Sequence, residues 1–152
     1  MKKILLLGMA ILVIGIFASC EKTEDNTPTP TIVHNELYQT YWEGSLIKRG
    51  QNGEYEWHYS YYLNLDFLSD TSVRFYGTKW LSRNYSWNVD IYKEGEWNDT
   101  LKYSFSDSVG NIYGPAEYVW RGDTTSIQLI ENNSLQLKTS DGLAKFSRKE
   151  RE

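Results

Sequence analysis

Residues 54–67, EYEWHYSYYLNLDF, constrain the fold of this chain more than any other stretch. The odd positions, Tyr55, Trp57, Tyr59, Tyr61, Leu63, Leu65 and Phe67, are all aromatic or aliphatic. The even positions, Glu54, Glu56, His58, Ser60, Tyr62, Asn64 and Asp66, are all polar or polar-tipped. Unbroken period-2 alternation is the pattern of a β-strand with one wet face and one buried face. At about 3.3 Å per residue the run spans roughly 45 Å, far beyond a usual strand of ~5–6 residues. A strand this long bends around a closed or strongly coiled sheet, so the rest of the chain is expected to be sheet built beside it.

The flanking sequence fits that expectation. Residues 41–49 form the first predicted strand, and Gly50-Gln51-Asn52-Gly53 is a hairpin turn, because Asn-Gly readily takes φ > 0. After a turn at 68–71, residues 72–77 alternate Val73 and Phe75 inward. Residues 78–84 read as a connection carrying Trp80. Residues 85–92 read as a strand with Tyr85, Trp87, Val89 and Ile91 inward. Residues 94–99 read as a turn carrying Trp97, and 100–105 as a strand. Residues 112–121 form a weaker strand interrupted by Pro115, which cannot donate a ladder hydrogen bond. Predicted strands at 124–130, 134–138 and 143–148 complete eight or nine short strands with no convincing helix. A chain with 12 Tyr and 6 Trp suits such pleated, half-buried surfaces. Nearly every connection is hairpin-short, which favours an up-and-down antiparallel β-barrel; the alternative is an immunoglobulin-like β-sandwich, which needs longer crossovers.

The N-terminus sets the expected location. Lys2 and Lys3 precede an apolar run from Ile4 to Phe17, then small residues Ala18 and Ser19: a secretory leader over residues 1–19, too short for a spanning helix of ~20 apolar residues. Phe17-Ala18-Ser19-Cys20 resembles the lipobox of bacterial lipoproteins, in which the cysteine is lipidated and becomes the first mature residue. That resemblance implies lipidation at Cys20 and membrane partnership through its acyl chains. Residues 20–31 are charged, then Thr/Pro-rich, and form a flexible tether to a single domain over 32–152. The acidic cluster Glu21, Glu24 and Asp25 resembles the surface-export signal of lipoproteins in some Gram-negative bacteria, implying an outer-membrane, possible cell-surface location. With one cysteine in the chain, no intramolecular disulfide is available. The net charge of −4 has no basic cluster to offset it, and this argues against nucleic acid as a partner.

Trp42-x-Gly44, the triplet Leu63-x-Leu65-x-Phe67 before a turn, and the ending Leu135-x-Leu137 with Phe146-x-Arg148 together resemble the small lipocalin-like (calycin-type) lipoproteins of Gram-negative bacteria. The resemblance implies a barrel that binds a small ligand, and it carries over no catalytic residue.

The residues themselves point the same way. Glu56, His58 and Ser60 share one strand face, but successive same-face residues lie ~7 Å apart, beyond hydrogen-bond reach for a triad. No metal-ligand spacing, phosphate loop or second cysteine appears, so the chain is read as non-enzymatic, with no cofactor and no metal. The inward face of the long strand is graded, with Tyr55, Trp57, Tyr59 and Tyr61 first and aliphatic residues after. Tyr85 and Trp87 precede Val89 and Ile91 in the same order. These six aromatic residues are the candidate ligand-lining set for a small apolar or amphipathic ligand or a glycan, at a mouth opposite a dry plug closed by Trp42. The competing reading is that the rings pack a small barrel solid, leaving a structural or interaction accessory of a surface complex. Trp80 and Trp97 are candidate partner contacts if their loops expose them, and caps if they fold back. The runs Asp99-Thr100-Leu101, Asp107-Ser108-Val109 and Asp123-Thr124-Thr125 resemble a short bacterial O-glycosylation signal, and are equally ordinary turn chemistry.

Overall fold

A computed structural model describes residues 32–116, 118–131 and 133–151. The expected leader, Cys20 and the tether with its acidic cluster lie outside the described residues. The described part is a closed antiparallel barrel in strict sequence order: β1 (Tyr41–Asn52), β2 (Tyr55–Phe67), β3 (Ser72–Tyr85), β4 (Val89–Ser106), β5 (Val109–Tyr113), β6 (Thr124–Glu131), β7 (Ser134–Thr139) and β8 (Gly142–Lys149). The eight strands form an all-β, up-and-down barrel, the arrangement expected for a lipocalin-like domain. Closure, with β1 pairing β8, rules out the sandwich.

The strands are unequal, and this shapes everything above the core. β1 to β4 have 12, 13, 14 and 18 residues, whereas β5 to β8 have 5, 8, 6 and 8. β1 pairs β8 only over residues 41–45, and β4 pairs β5 only over 102–106. The upper parts of β1 and β4, and β2 and β3 between them, therefore run on past the closed barrel as a four-stranded curved wall. The β1–β2 and β3–β4 turns sit at its tip.

Below the wall the barrel is filled. Trp42, Leu63, Leu65, Phe67, Val73, Phe75, Ile112, Leu135, Leu137 and Phe146 are all buried. The lower end is closed by residues 33–40, where Leu37 is fully buried and the Trp42 Nε1 donates to Thr40 Oγ1 at 2.8 Å. Asp70, in the β2–β3 turn, ties this lid down by accepting from Asn35 N at 2.8 Å and bonding His34 Nδ1 at 2.6 Å. The His34 contact and the Asn35 N–H hold the Asp70 carboxyl below its ordinary value. The upper end is plugged by the described residues of the β5–β6 connection, 114–116 and 118–123. Its Val119 and Trp120 are buried, Trp120 packs 5.1 Å from Phe75, and its indole donates to Gly114 O at 3.1 Å.

β3, β4 and β5 depart from what the sequence pattern predicts. Residues 78–84 are not a connection but the continuation of β3, and 94–99 are not a turn but the middle of β4. Residues 85–92 are not one strand: Tyr85 ends β3, 86–88 turn, and Val89 begins β4. Val89 and Ile91 accordingly face outward and are exposed. The strand expected over 112–121 ends at Tyr113, and the rest is the plug. The cause is common to the β3 and β4 cases. Alternation was read as apolar inside and polar outside, but the wall's inner face is not core and carries Lys79 and Arg83. β4 also holds an irregularity opposite Lys79 and Trp80, where Lys79 pairs Gly95 and Trp80 pairs Lys93. That extra residue switches the inward parity of β4 from even above it to odd below it.

Candidate functional site

The inner face of the wall is built in rows by the strand register. At the tip, Tyr55 pairs with Tyr85. The next row is Gly50, Trp57, Arg83 and Asp90; the next is Lys48, Tyr59, Leu81 and Tyr92; and the floor row is Leu46, Tyr61, Lys79 and Gly95. Because side chains alternate across a strand, every second residue of each strand reaches this face.

The rings touch one another along it. Tyr55 and Tyr85 are 4.9 Å apart between ring centres, and Trp57 and Tyr59 are 5.3 Å apart. Gly50 permits the Trp57 position: a Cβ there would stand 2.2 Å from an indole carbon. Tyr55, Trp57, Tyr59 and Tyr85 are each half-buried, so the wall offers ring surface to solvent.

Three cations lie among the rings. The Lys79 ammonium sits 4.2 Å from the centre of the Tyr59 ring and 5.4 Å from that of Tyr61, and pairs Glu94 at 3.2 Å. Lys48 pairs Asp141, in the β7–β8 turn, at 2.6 Å. Asp141 also accepts from the Tyr61 hydroxyl. Burial raises the Asp141 carboxyl, but the Lys48 ammonium and the Tyr61 hydroxyl outweigh it and hold the group below its ordinary value. Burial, then the bond to Asp141, pushes the Tyr61 hydroxyl far above the usual tyrosine range. The third cation, Arg83, lies between two rings, 5.7 Å from the centre of Tyr55 and 5.5 Å from that of Tyr92.

The six expected ligand-lining residues therefore separate. Tyr55, Trp57, Tyr59 and Tyr85 share the wall. Tyr61 is fully buried as its floor. Trp87 lies not on a strand but in the β3–β4 turn, 78% exposed, stacked 5.5 Å from Tyr85. Trp80 and Trp97 are in strands rather than loops. Trp97 is buried against Phe75 and Tyr118, and among the described residues its Nε1 has no hydrogen-bond partner. Trp80 faces the outside of β3 and lines a shallow groove with Ser60, Tyr62, Ser82 and Ile91. Sequence reasoning missed Lys79, Arg83, Tyr92 and Asp141. For the first two a signal existed: Lys79, Leu81, Arg83 and Tyr85 continue the inward odd positions Val73, Phe75 and Gly77 without a break.

His58, Glu56 and Ser60 lie on the outer face of β2, and no hydrogen bond joins them among the described residues. Nor does any group of three His, Cys, Asp or Glu among those residues suit a metal ion. No family profile, curated protein or solved structure matches the chain.

Proposed function

We propose that this chain is a lipocalin-like lipoprotein, anchored to the outer membrane through acylated Cys20, whose barrel domain binds a small amphipathic ligand or a glycan without catalysis. The observation that carries the binding reading is the wall: half-buried Tyr and Trp rings interleaved with cations, with no strand beyond β4 laid over them. A fully apolar ligand suits it poorly, because pockets for such molecules bury most of the ligand's surface and this wall is open on one side. A ligand with one flat apolar face and one hydrated face matches it, and sugar rings have that character. The anchor reading rests on Phe17 to Cys20 and on the polar stretch that follows.

The test is native mass spectrometry of the gently extracted full chain, followed by titration with glycans. A co-purifying mass or a saturable titration, lost in Trp57→Ala and Tyr59→Ala while the melting temperature holds, supports the reading. A clean apo mass with no titration overturns it. The second reading, an interaction accessory, draws on a different observation. The closed barrel is solid, and the outer face of the wall exposes Ile47, Tyr62, Val89 and Ile91 around Trp80.

A further inference from the structure

We infer that the ligand of the wall is anionic, a carboxylated sugar such as a uronic acid, and that Arg83 is the residue that selects its charge. This rests on the reading of the wall as a binding surface and goes beyond it by assigning the chemical class.

The argument starts from how the three cations are used. Lys48 and Lys79 are each committed to a carboxylate, Asp141 and Glu94. Among the described residues Arg83 has no ion pair. The nearest acid by register is Asp90, directly opposite on β4. Its carboxylate accepts from the Asn88 side-chain amide at 2.7 Å and lies beside the Tyr92 hydroxyl on the same face, without forming an ion pair with Arg83. The Arg83 guanidinium is held between the Tyr55 and Tyr92 rings instead. Ring contacts of this kind restrain the guanidinium plane while leaving its N–H edge free, and that edge matches a carboxylate with two parallel hydrogen bonds.

The position of Arg83 fits the same class. Its immediate neighbour in the row is Trp57, whose indole lies against Gly50. A sugar ring resting on Trp57 would place a ring-borne carboxylate beside Arg83, one strand away at ~4.8 Å. A neutral sugar would use the rings alone and leave the guanidinium hydrated. The chain's own charge of −4 gives no long-range attraction to an anion, so selection must come from this short-range contact.

The experiment titrates the full chain, in a zwitterionic detergent without a sugar headgroup, with trigalacturonic acid and with its neutral counterpart galactotriose. The expected result is at least ~10-fold tighter binding of the acid, as a charge-assisted hydrogen bond would give. In Arg83→Gln the acid loses its advantage over the neutral sugar, and Arg83→Lys recovers part of the preference. Equal binding of the two sugars, or a preference that survives Arg83→Gln, overturns this inference and leaves the wall reading standing. Failure of both sugars to bind overturns this inference, and the wall reading falls with it only where the native mass is also clean apo.

Discussion

At the residue scale, Asp141 connects the wall to the barrel beneath it. It is a carboxylate held by the Lys48 ammonium and the Tyr61 hydroxyl from two neighbouring strands. Its carboxyl is lowered on folding, so the stabilisation it gives is present above its unfolded value of roughly 3.9 and is lost as the pH falls through the folded value. Asp141→Asn should therefore cost about 1–3 kcal/mol in urea unfolding at pH 7, and the gap to the wild type should close as the carboxyl protonates in the folded protein in acid. A gap that is constant with pH would mean the bridge is not the source. Two tryptophans bracket what sequence type alone conveys. Trp120→Ala removes a buried ring packed on Phe75 and should cost about 3–5 kcal/mol, whereas Trp87→Ala at the exposed turn should stay within about 0.5 kcal/mol. Urea titration of both variants checks the contrast.

At the element scale, the wall exists because β1 to β4 outrun β5 to β8. β2 is the strand whose alternation was plain in the sequence, and its inward set is as expected from Tyr55 to Phe67. β3 was half visible, because alternation is a proxy for burial. Where β3 leaves the closed barrel its inward positions change from Val73 and Phe75 to Lys79 and Arg83, and the apolar period fades while the strand continues. β4 was obscured further by its parity switch, which no hydropathy period can follow. One contact between elements is testable without any ligand. Gly50→Ala would force the Trp57 indole off β1, so tryptophan emission should shift to the red. The same substitution placed on Trp57→Phe should produce no such shift. An unchanged spectrum in the single variant would show that the ring does not lie where the wall requires it.

At the scale of the whole molecule, the lower end of the barrel is sealed and the upper end carries the wall. The lower end is also where β1 begins, at Tyr41, so the described domain opens on the side away from its own N-terminal entry. The anchor proposed for that N-terminus has a direct measurement. Cys20→Ala should abolish incorporation of a labelled fatty acid and release the protein into the soluble fraction; continued labelling would remove the anchor from the reading.

The sequence by itself determined that this is a meander of eight or nine strands with a long alternating second strand, a Trp42 plug and an aliphatic lower core. It did so because local alternation, turn residues and short connections are read over a few residues at a time. It also placed Tyr55, Trp57 and Tyr59 on one inward face. Only the tertiary structure decided that inward divides into two environments, a dry barrel below and an open wall above. That division depends on which strands pair and for how long, and pairing is set by residues far apart in the chain. Closure of β1 on β8 stops at Ser45, and the β5–β6 plug fills the space where a ligand cavity was expected. The aromatic rings of β2 thus ended beside Arg83 on a surface, rather than inside a pocket.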